Sequence, residues 1–420
     1  MSEQEYITVQ EALTAVLNNV SVLPAETVPL MDALGRILAQ DVIAQDSLPP
    51  FSNSSMDGYA VRSTDVATAS KESSVSLRVV ADIAAGHVLK TAVSPHCAAR
   101  IMTGAPLPDG TDAVVPVEDT NESWRDRDRP LPEFVEIYST VKAGDYVRHP
   151  GEDIVAGTAV LQSGHQLRPQ EIGVLASLGV SKVQVVRRPR VGILATGDEL
   201  IAVDQPLQPG KIRNSNGYTQ TAQIIALGAI PVPLGVAADT EEDVRAKLQA
   251  GLDANVDLFV SSAGVSLGAY DVVKAVLEEG GETSFWRVRM RPGKPLAHGR
   301  YQSVPYLGLP GNPVSAMVSF ERFARAAILK MGGHTRLERP LIPITLQDDI
   351  NSDGRESYIR AIVKRTTDGY IGTTTGGQGS HMMTSLVKAN ALVIVPEGVK
   401  TVLAGETLMA WMLDWPEHVF

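Results

Sequence analysis

Leu258-Phe-Val-Ser-Ser-Ala-Gly-Val-Ser-Leu-Gly-Ala-Tyr-Asp271 joins an apolar run rich in β-formers to small hydroxyl and glycine residues. Asp271 then opens a helical pattern that runs to Glu279, so the segment reads strand, loop, helix. This is where α/β proteins bind anions. Small residues let a backbone approach a phosphate, the helix start offers free N–H groups, and a carboxylate beside a bound phosphate commonly holds a divalent cation.

The same rhythm runs on both sides of this segment, from Pro189 onward. Strand candidates fall at Val191 to Ala195, Ile230 to Gly235, Asp257 to Ser261, Ser284 to Met290 and Val304 to Leu309. Helical patterns separate them at Thr219 to Leu227, Thr240 to Leu252 and Asp271 to Glu279, and one more follows at Pro313 to Met331. Alternation of this kind predicts a doubly wound, parallel or mostly parallel sheet.

Ligands of such sheets bind outside the carboxyl ends of the strands, and the polar constellations fall there. Glu199 follows the first strand and Asp239 the second; Ser261, Ser262, Gly264, Ser266 and Asp271 follow the third. The fourth leads into Arg287, Arg291 and Lys294, and the fifth into Pro310-Gly-Asn312-Pro313-Val-Ser315. Carboxylates and cations on one rim predict Mg²⁺ together with phosphate. Asn312 suits a helix N-cap and Pro313 the first helical position; a tight strand-to-helix connection is the plainer alternative. The Arg291/Lys294 cluster grips an oxyanion or forms a solvated edge. There is no Gly-x-x-x-x-Gly-Lys and no Gly-x-Gly-x-x-Gly after the first strand, which removes support for a P-loop ATPase or a dinucleotide dehydrogenase. His298 and His381 stand alone and read as structural residues.

Upstream, Thr8-Val-Gln-Glu11 is a capping box before an amphipathic helix to about Asn19, a short helical piece spans Leu30 to Leu34, and Arg36 to Ala44 reads as a strand. At Leu48-Pro-Pro-Phe-Ser-Asn-Ser-Ser-Met-Asp57-Gly-Tyr59 the texture changes to a polar loop, followed by short strands at Leu77 to Ile83, Ala98 to Met102, Ala113 to Val117 and Phe134 to Tyr138. Thr103 lies among them, and Arg148-His-Pro-Gly-Glu-Asp153 closes the segment. Beyond His334 only strands joined by glycine turns are expected. The predicted class is α/β plus β, in several parts. Residues 1–46 and 150–188 form a discontinuous N-terminal dimerisation domain and 47–149 an inserted β domain. Residues 189–333 form the α/β domain and 334–420 a C-terminal β-barrel-like domain.

A chain of 420 residues with a formal net charge of −11 argues against a general nucleic-acid or acidic-membrane binder. No apolar run approaches a bilayer span, and the polar N-terminus lacks the features of a signal peptide, so a soluble cytoplasmic protein acting on a small molecule is expected. Cys97 is the single cysteine, which excludes an internal disulfide and any multi-thiolate metal centre.

Several motifs then occur in a telling order. These are Ser54-Ser-Met-Asp57-Gly-Tyr-Ala, Ile101-Met-Thr103-Gly-Ala-Pro, Gly151-Glu-Asp153-Ile, Thr196-Gly-Asp-Glu199-Leu, Ser261-Ser-Ala-Gly-Val-Ser, Arg291-Pro-Gly-Lys294-Pro and Leu309-Pro-Gly-Asn312-Pro-Val-Ser-Ala. The chain resembles the MoeA and gephyrin E-domain family, the molybdopterin molybdenumtransferases, from its first helix to its C-terminal domain. That resemblance implies a homodimer that inserts molybdate into adenylylated molybdopterin with Mg²⁺-dependent release of AMP, in transient contact with other molybdenum-cofactor biosynthesis proteins.

It also implies roles for individual residues. Glu199, Asp239 and Asp271 would hold Mg²⁺, and with Asp57 and Thr103 make the catalytic set. Arg287, Arg291 and Lys294 would neutralise the pyrophosphate and the oxometalate. Asp57, Thr103, Arg148 and Asp153 would reach the rim of the other subunit, while Arg360 and the turn Gln378-Gly-Ser380-His381 would offer an oxyanion pocket. Ala263 replaces a glycine usual in the family, and arginines at 287 and 291 stand where lysines are common. A molybdopterin adenylyltransferase-like enzyme and a non-catalytic gephyrin-like scaffold are the alternatives.

Overall fold

The computed structural model describes residues 6–122, 130–262, 272–281 and 283–414. Two compact units emerge. The first comprises Met1–Ala39, Gly164–Arg168 and Val183–Phe420, and the second Gln40–Ser163 and Pro169–Lys182.

In the first unit, an edge strand β1 (Tyr6–Ile7) precedes α1 (Val9–Asn18), which starts at the expected capping box: Thr8 Oγ1 accepts from the Glu11 N–H at 3.2 Å, and Glu11 Oε2 accepts from the Thr8 N–H at 2.8 Å. The helix buries Val9, Ala12, Leu13 and Val16 in the same core as Val191, Ile193, Leu258 and Leu307 of the sheet. Each buried valine or leucine among them contributes roughly 1.5–3 kcal/mol.

The sheet continues through β2 (Arg190–Thr196), α2 (Ser215–Ala226), β3 (Ile230–Ala237), α3 (Glu241–Asp253), β4 (Leu258–Ser262), α4 (Val272–Gly280), β5 (Thr283–Val288), β6 (Pro295–Tyr301) and β7 (Val304–Leu309). Its order is β1-β5-β6-β7-β4-β2-β3. The pairs β1–β5, β7–β4, β4–β2 and β2–β3 are parallel, and β6 runs antiparallel to both its neighbours. The mostly parallel sheet is as expected, except that β6 escapes the sequence pattern because Pro295 and Gly299 interrupt it. β2 feeds α2 and β3 on one side, while β4 feeds α4 and β5 on the other, so the connections diverge between β2 and β4, the usual position of a ligand crevice. All residues of β4 are buried, as the continuous apolar run of a central parallel strand requires.

After β7 a helix runs from Pro313 through a π-helical turn at Phe320–Ala324 to Met331. The C-terminal strands β8 (Leu341–Leu346), β9 (Glu356–Thr366), β10 (Gly369–Thr374), β11 (Ala391–Val395) and β12 (Thr407–Met412) close into a five-stranded barrel in the order β9-β10-β8-β12-β11-β9. One helix, Met383–Lys388, interrupts the expected run of strands. Met290–Arg291 pairs in parallel with Glu356–Ser357 of β9 and so anchors the segment after β5 on the barrel.

The second unit holds a five-stranded sheet in the order Ala113–Pro116, Gly58–Val61, Cys97–Ile101, Val75–Ile83, Phe134–Ile137. Tyr59, Leu77, Val115, Val135 and Ile137 share its core. The strand expected over Arg36 to Ala44 reduces to Val42–Ile43, with single bridges at Ile37 and Leu38.

Candidate active site

One cleft of about 390 Å³ in the first unit is lined by Arg291 to Pro295, Pro310 to Asn312, Ser315, Arg355 and Gln378 to Ser380. It gathers Arg291, Lys294, Pro310, Asn312, Ser315 and Ser380 from the residues singled out in the sequence. Each wall has a local cause. Gly293 sits at φ +111°, and a Cβ there would collide with Ser319 Oγ, so only glycine lets the Pro-Gly turn lie on the helix. Asn312 occupies the N-cap position, but its side chain caps nothing, and Pro313 has no N–H to offer. The Val314 N–H donates to the Ser380 carbonyl at 3.1 Å, and the Asn216 amide donates to the Gly311 carbonyl at 2.8 Å.

Arg360 is 1% exposed and lies beneath the Gln378–Ser380 turn, with Nε donating to Ser385 Oγ at 3.1 Å and Nη2 to the Gly379 carbonyl at 3.2 Å. Gln378 returns its amide to the Arg360 backbone on both sides, at 2.9 and 3.1 Å. Among the described residues no carboxylate pairs with Arg360. Burial, reinforced by the Arg291 charge, pulls its guanidinium down to about 10. A buried cation without a counter-ion is costly, and an incoming anion relieves that cost. Behind the lining residues Arg355 and Arg291, Asp353 is held down at about 2 by Arg355, with Arg291 adding to the effect from 3.9 Å.

Tyr6, which sequence reasoning passed over, places its ring 5.2 Å from Lys294 Nζ and 5.7 Å from the Arg287 guanidinium carbon. Its hydroxyl is drawn below the usual phenol range by Lys294 first and then by Arg287. A two-residue edge strand carries no periodic signal, so only the fold could bring Tyr6 here.

The acidic side of the rim lies at the ends of β2 and β3. The Asp198 N–H donates to Asp239 Oδ2 at 3.4 Å and the Asp239 N–H to Asp198 Oδ1 at 3.2 Å, which leaves one oxygen of each carboxylate uncommitted by this exchange. Glu199 folds its carboxylate over Gly197. A ribbon, Leu200–Ile201 with Ile212–Arg213, carries the chain from Glu199 to the N-cap Asn214 of α2, and so to Asn216 and the Gly311 turn. Among the described residues no three acidic or imidazole side chains form a ready-made metal cluster; Asp271, with Gly264 and Ser266, lies outside the described residues. Ser261 is fully buried, and its Oγ accepts from the Tyr306 hydroxyl at 2.6 Å, so its side chain faces the core; Ser262 is 2% exposed.

In the second unit, Asp57 Oδ1 accepts from both the N–H and the hydroxyl of Thr103, each at 2.7 Å. Arg148 pairs with Asn53, and the Ser55 N–H donates to the Tyr146 carbonyl at 2.9 Å, so the three loops carrying Asp57, Thr103 and Arg148 meet at one end of that unit. The Asp153 N–H donates to the Leu48 carbonyl at 2.9 Å.

Three consecutive regions match known families. Residues 7–179 match the MoeA N-terminal region (domain I and II), 192–330 the family described as "Probable molybdopterin binding domain", and 343–413 the MoeA C-terminal region (domain IV). The chain is 40% identical over 395 residues to the molybdopterin molybdenumtransferase of Nostoc sp., covering 92% of this chain and 88% of that one. It is 35% identical over 409 residues to the enzyme of the same name from Haemophilus influenzae, covering 96% and 97%. Among solved structures, the molybdopterin biosynthesis moeA protein from Pyrococcus horikoshii OT3 superposes with a TM-score of 0.80 at 28% identity, covering 97% of this chain and all of that one. A cleft built at the junction of an α/β sheet and a small barrel, and matches that span the chain from first helix to last strand, lead to one assignment: this protein belongs to the molybdopterin molybdenumtransferase family of molybdenum-cofactor biosynthesis.

Proposed function

We propose that the chain inserts molybdate into the dithiolene of adenylylated molybdopterin, with Mg²⁺-dependent loss of AMP. The observation that supports this most directly is Arg360, a buried guanidinium with no carboxylate partner among the described residues, beside Arg291 at a cleft lined by cations. Molybdate is a tetrahedral dianion, and arginine, lysine, serine and backbone N–H groups are the donors that suit it. Arg291, Lys294, Arg360 and Ser380 hold it in this proposal, with the turn Pro310 to Ser315 as the facing wall. Arg287 and Lys294 neutralise the pyrophosphate. No protein thiolate is needed, because the pterin brings the dithiolene.

Glu199, Asp239 and Asp271 are assigned to Mg²⁺. The described donors fit it in kind, being hard carboxylate oxygens. When bound, the ion would supply charge neutralisation at the phosphoanhydride. Ser261 contributes to the pterin site through its backbone, since its hydroxyl is committed to Tyr306, and Ser262, Gly264 and Ser266 are assigned to the same site. Asp57, Thr103, Arg148 and Asp153 are assigned to substrate contacts in a homodimer, and the four-part domain division given above belongs to the same proposal.

The test is AMP release from adenylylated molybdopterin by purified protein, with and without molybdate and Mg²⁺. Release that depends on both supports the proposal; bound substrate with no AMP under any oxometalate overturns it in favour of a scaffold.

A further inference from the structure

Arg355 lines the cleft but lies outside every motif from which the cleft was anticipated. Its guanidinium is held on two sides. Nε donates to both Asp353 oxygens at 3.1 Å, Nη2 donates to Asp353 Oδ2 at 2.5 Å, and Nη1 donates to the Met290 carbonyl at 3.0 Å. A guanidinium carries five N–H groups, so these contacts leave one on each Nη without an assigned acceptor.

Asp353 is not itself among the lining residues, and it approaches Arg291 as well, at 3.9 Å. An ion pair this exposed adds little to folding, so its consequence is orientation. A long, rotamer-rich side chain is fixed before any ligand arrives, and the ordering cost of recruiting it is already met. The Met290 carbonyl acts in the same way: it belongs to the short strand that pairs with β9, so the fork is set against two elements of the first unit.

We propose that Arg355 is a further ligand for a tetrahedral dianionic oxyanion in this cleft, and that Asp353 is its positioning residue. The proposal rests on the oxyanion assignment of the cleft made above. It requires the planar fork as well as the charge, so lysine at this position serves only in part.

The probe is sodium tungstate, titrated calorimetrically into the full-length protein, with Lys294→Ala as the reference for loss of a cleft cation. Arg355→Gln is expected to weaken tungstate binding about tenfold, the scale of one charge-assisted contact, with Arg355→Lys in between and the unliganded thermal midpoint of both near that of the parent. Asp353→Asn keeps the acceptor for the Arg355 backbone and is expected to weaken binding about threefold, to raise KM for molybdate more than it lowers kcat, and to be rescued by Asp353→Glu. Parent-like binding by Arg355→Gln, where Lys294→Ala binds weakly, overturns the role of Arg355 and leaves the cleft intact. Parent-like binding by Arg355→Gln and Lys294→Ala alike removes the oxyanion assignment and this inference with it. Should Arg355→Gln fail to fold, parent-like binding by Arg355→Lys overturns the requirement for the fork. Weak binding by Arg355→Gln with parent-like binding by Asp353→Asn overturns the positioning role alone.

Discussion

The carbonyl of Ser380, in a turn of the barrel region, accepts a 3.1 Å hydrogen bond from the Val314 N–H at the start of the helix after β7. The cleft is therefore a seam between sheet and barrel tied by main chain, and the ligand role proposed for Ser380 falls to its hydroxyl. Ser380→Ala should lower tungstate affinity at least about tenfold, the scale of one hydrogen bond to a charged group, while the chemical denaturation midpoint stays unchanged. A large loss of stability would mean that the hydroxyl supports the turn.

Arg360 carries a stability prediction of its own. Its depressed pKa corresponds to an unfavourable burial on the order of 3 kcal/mol. Arg360→Met removes that cost, and Ser385 Oγ still donates to the Met382 carbonyl at 2.6 Å, so the unliganded thermal midpoint should not fall. Saturating tungstate should raise the parent's midpoint, since a ligand at 100 times its Kd stabilises by about 2.7 kcal/mol, and should leave Arg360→Met unmoved. A variant that melts early and still responds to tungstate would refute the assignment.

Asp57 offers a separation of charge from geometry. Both Thr103 bonds end on Asp57 Oδ1, which an asparagine carbonyl reproduces. Asp57→Asn should therefore fold with a stability change below about 0.5 kcal/mol, while AMP release falls by roughly two orders of magnitude if the carboxylate serves as an acid–base group. Retained turnover would reduce Asp57 to a loop brace.

His298, stacked on Trp286 with 4.9 Å between ring centroids, predicts a pH dependence of folding. Burial lowers its pKa, opposed by the bond to the Ala15 carbonyl, and His334 is lowered by burial and by Arg325. With folded values below the unfolded value of about 6.5, the unfolded chain takes up protons first. Stability is thus complete above that pH and falls as pH drops toward the folded values, with a slope of at most about 1.4 kcal/mol per pH unit for each histidine. His298→Phe keeps an aromatic ring in the stack and should flatten the decline between pH 7 and 5 in denaturant melts. An unchanged slope would assign the decline elsewhere.

These contrasts mark what sequence could carry. The capping box at Thr8 and Glu11, the parallel strands and the motif loops are local, so period and punctuation reveal them. Arg291, Lys294 and Ser380 were legible because each lies in a motif with its own turn chemistry. Arg355 and Tyr6 were not: one sits at a barrel strand edge and the other on a two-residue strand, and only long-range pairing with Met290–Arg291 and β5 brings them to the cations. The direction of the Ser261 hydroxyl was hidden for a related reason. Adjacent strand residues face opposite sides, and only the packed sheet reveals that its side holds Tyr306.

Gly197 ties backbone conformation at the acidic rim to Glu199, a ligand in the proposed Mg²⁺ site. It adopts φ +137°, a region open to glycine and strained for other residues, and the Glu199 carboxylate occupies the space where a Cβ would be. Gly197→Ala must either shift this turn or expel the carboxylate, and Glu199, being exposed, is the group that yields. The fold should survive at a cost of about 1–3 kcal/mol. The Mg²⁺ concentration for half-maximal AMP release should rise about tenfold, the scale of one displaced carboxylate contact. Glu199→Gln should raise it similarly without the stability cost, because glutamine removes charge and leaves the turn alone. If Gly197→Ala lost stability but kept the parent Mg²⁺ requirement, Glu199 would lose its place among the metal ligands and be left as the side chain that covers a glycine.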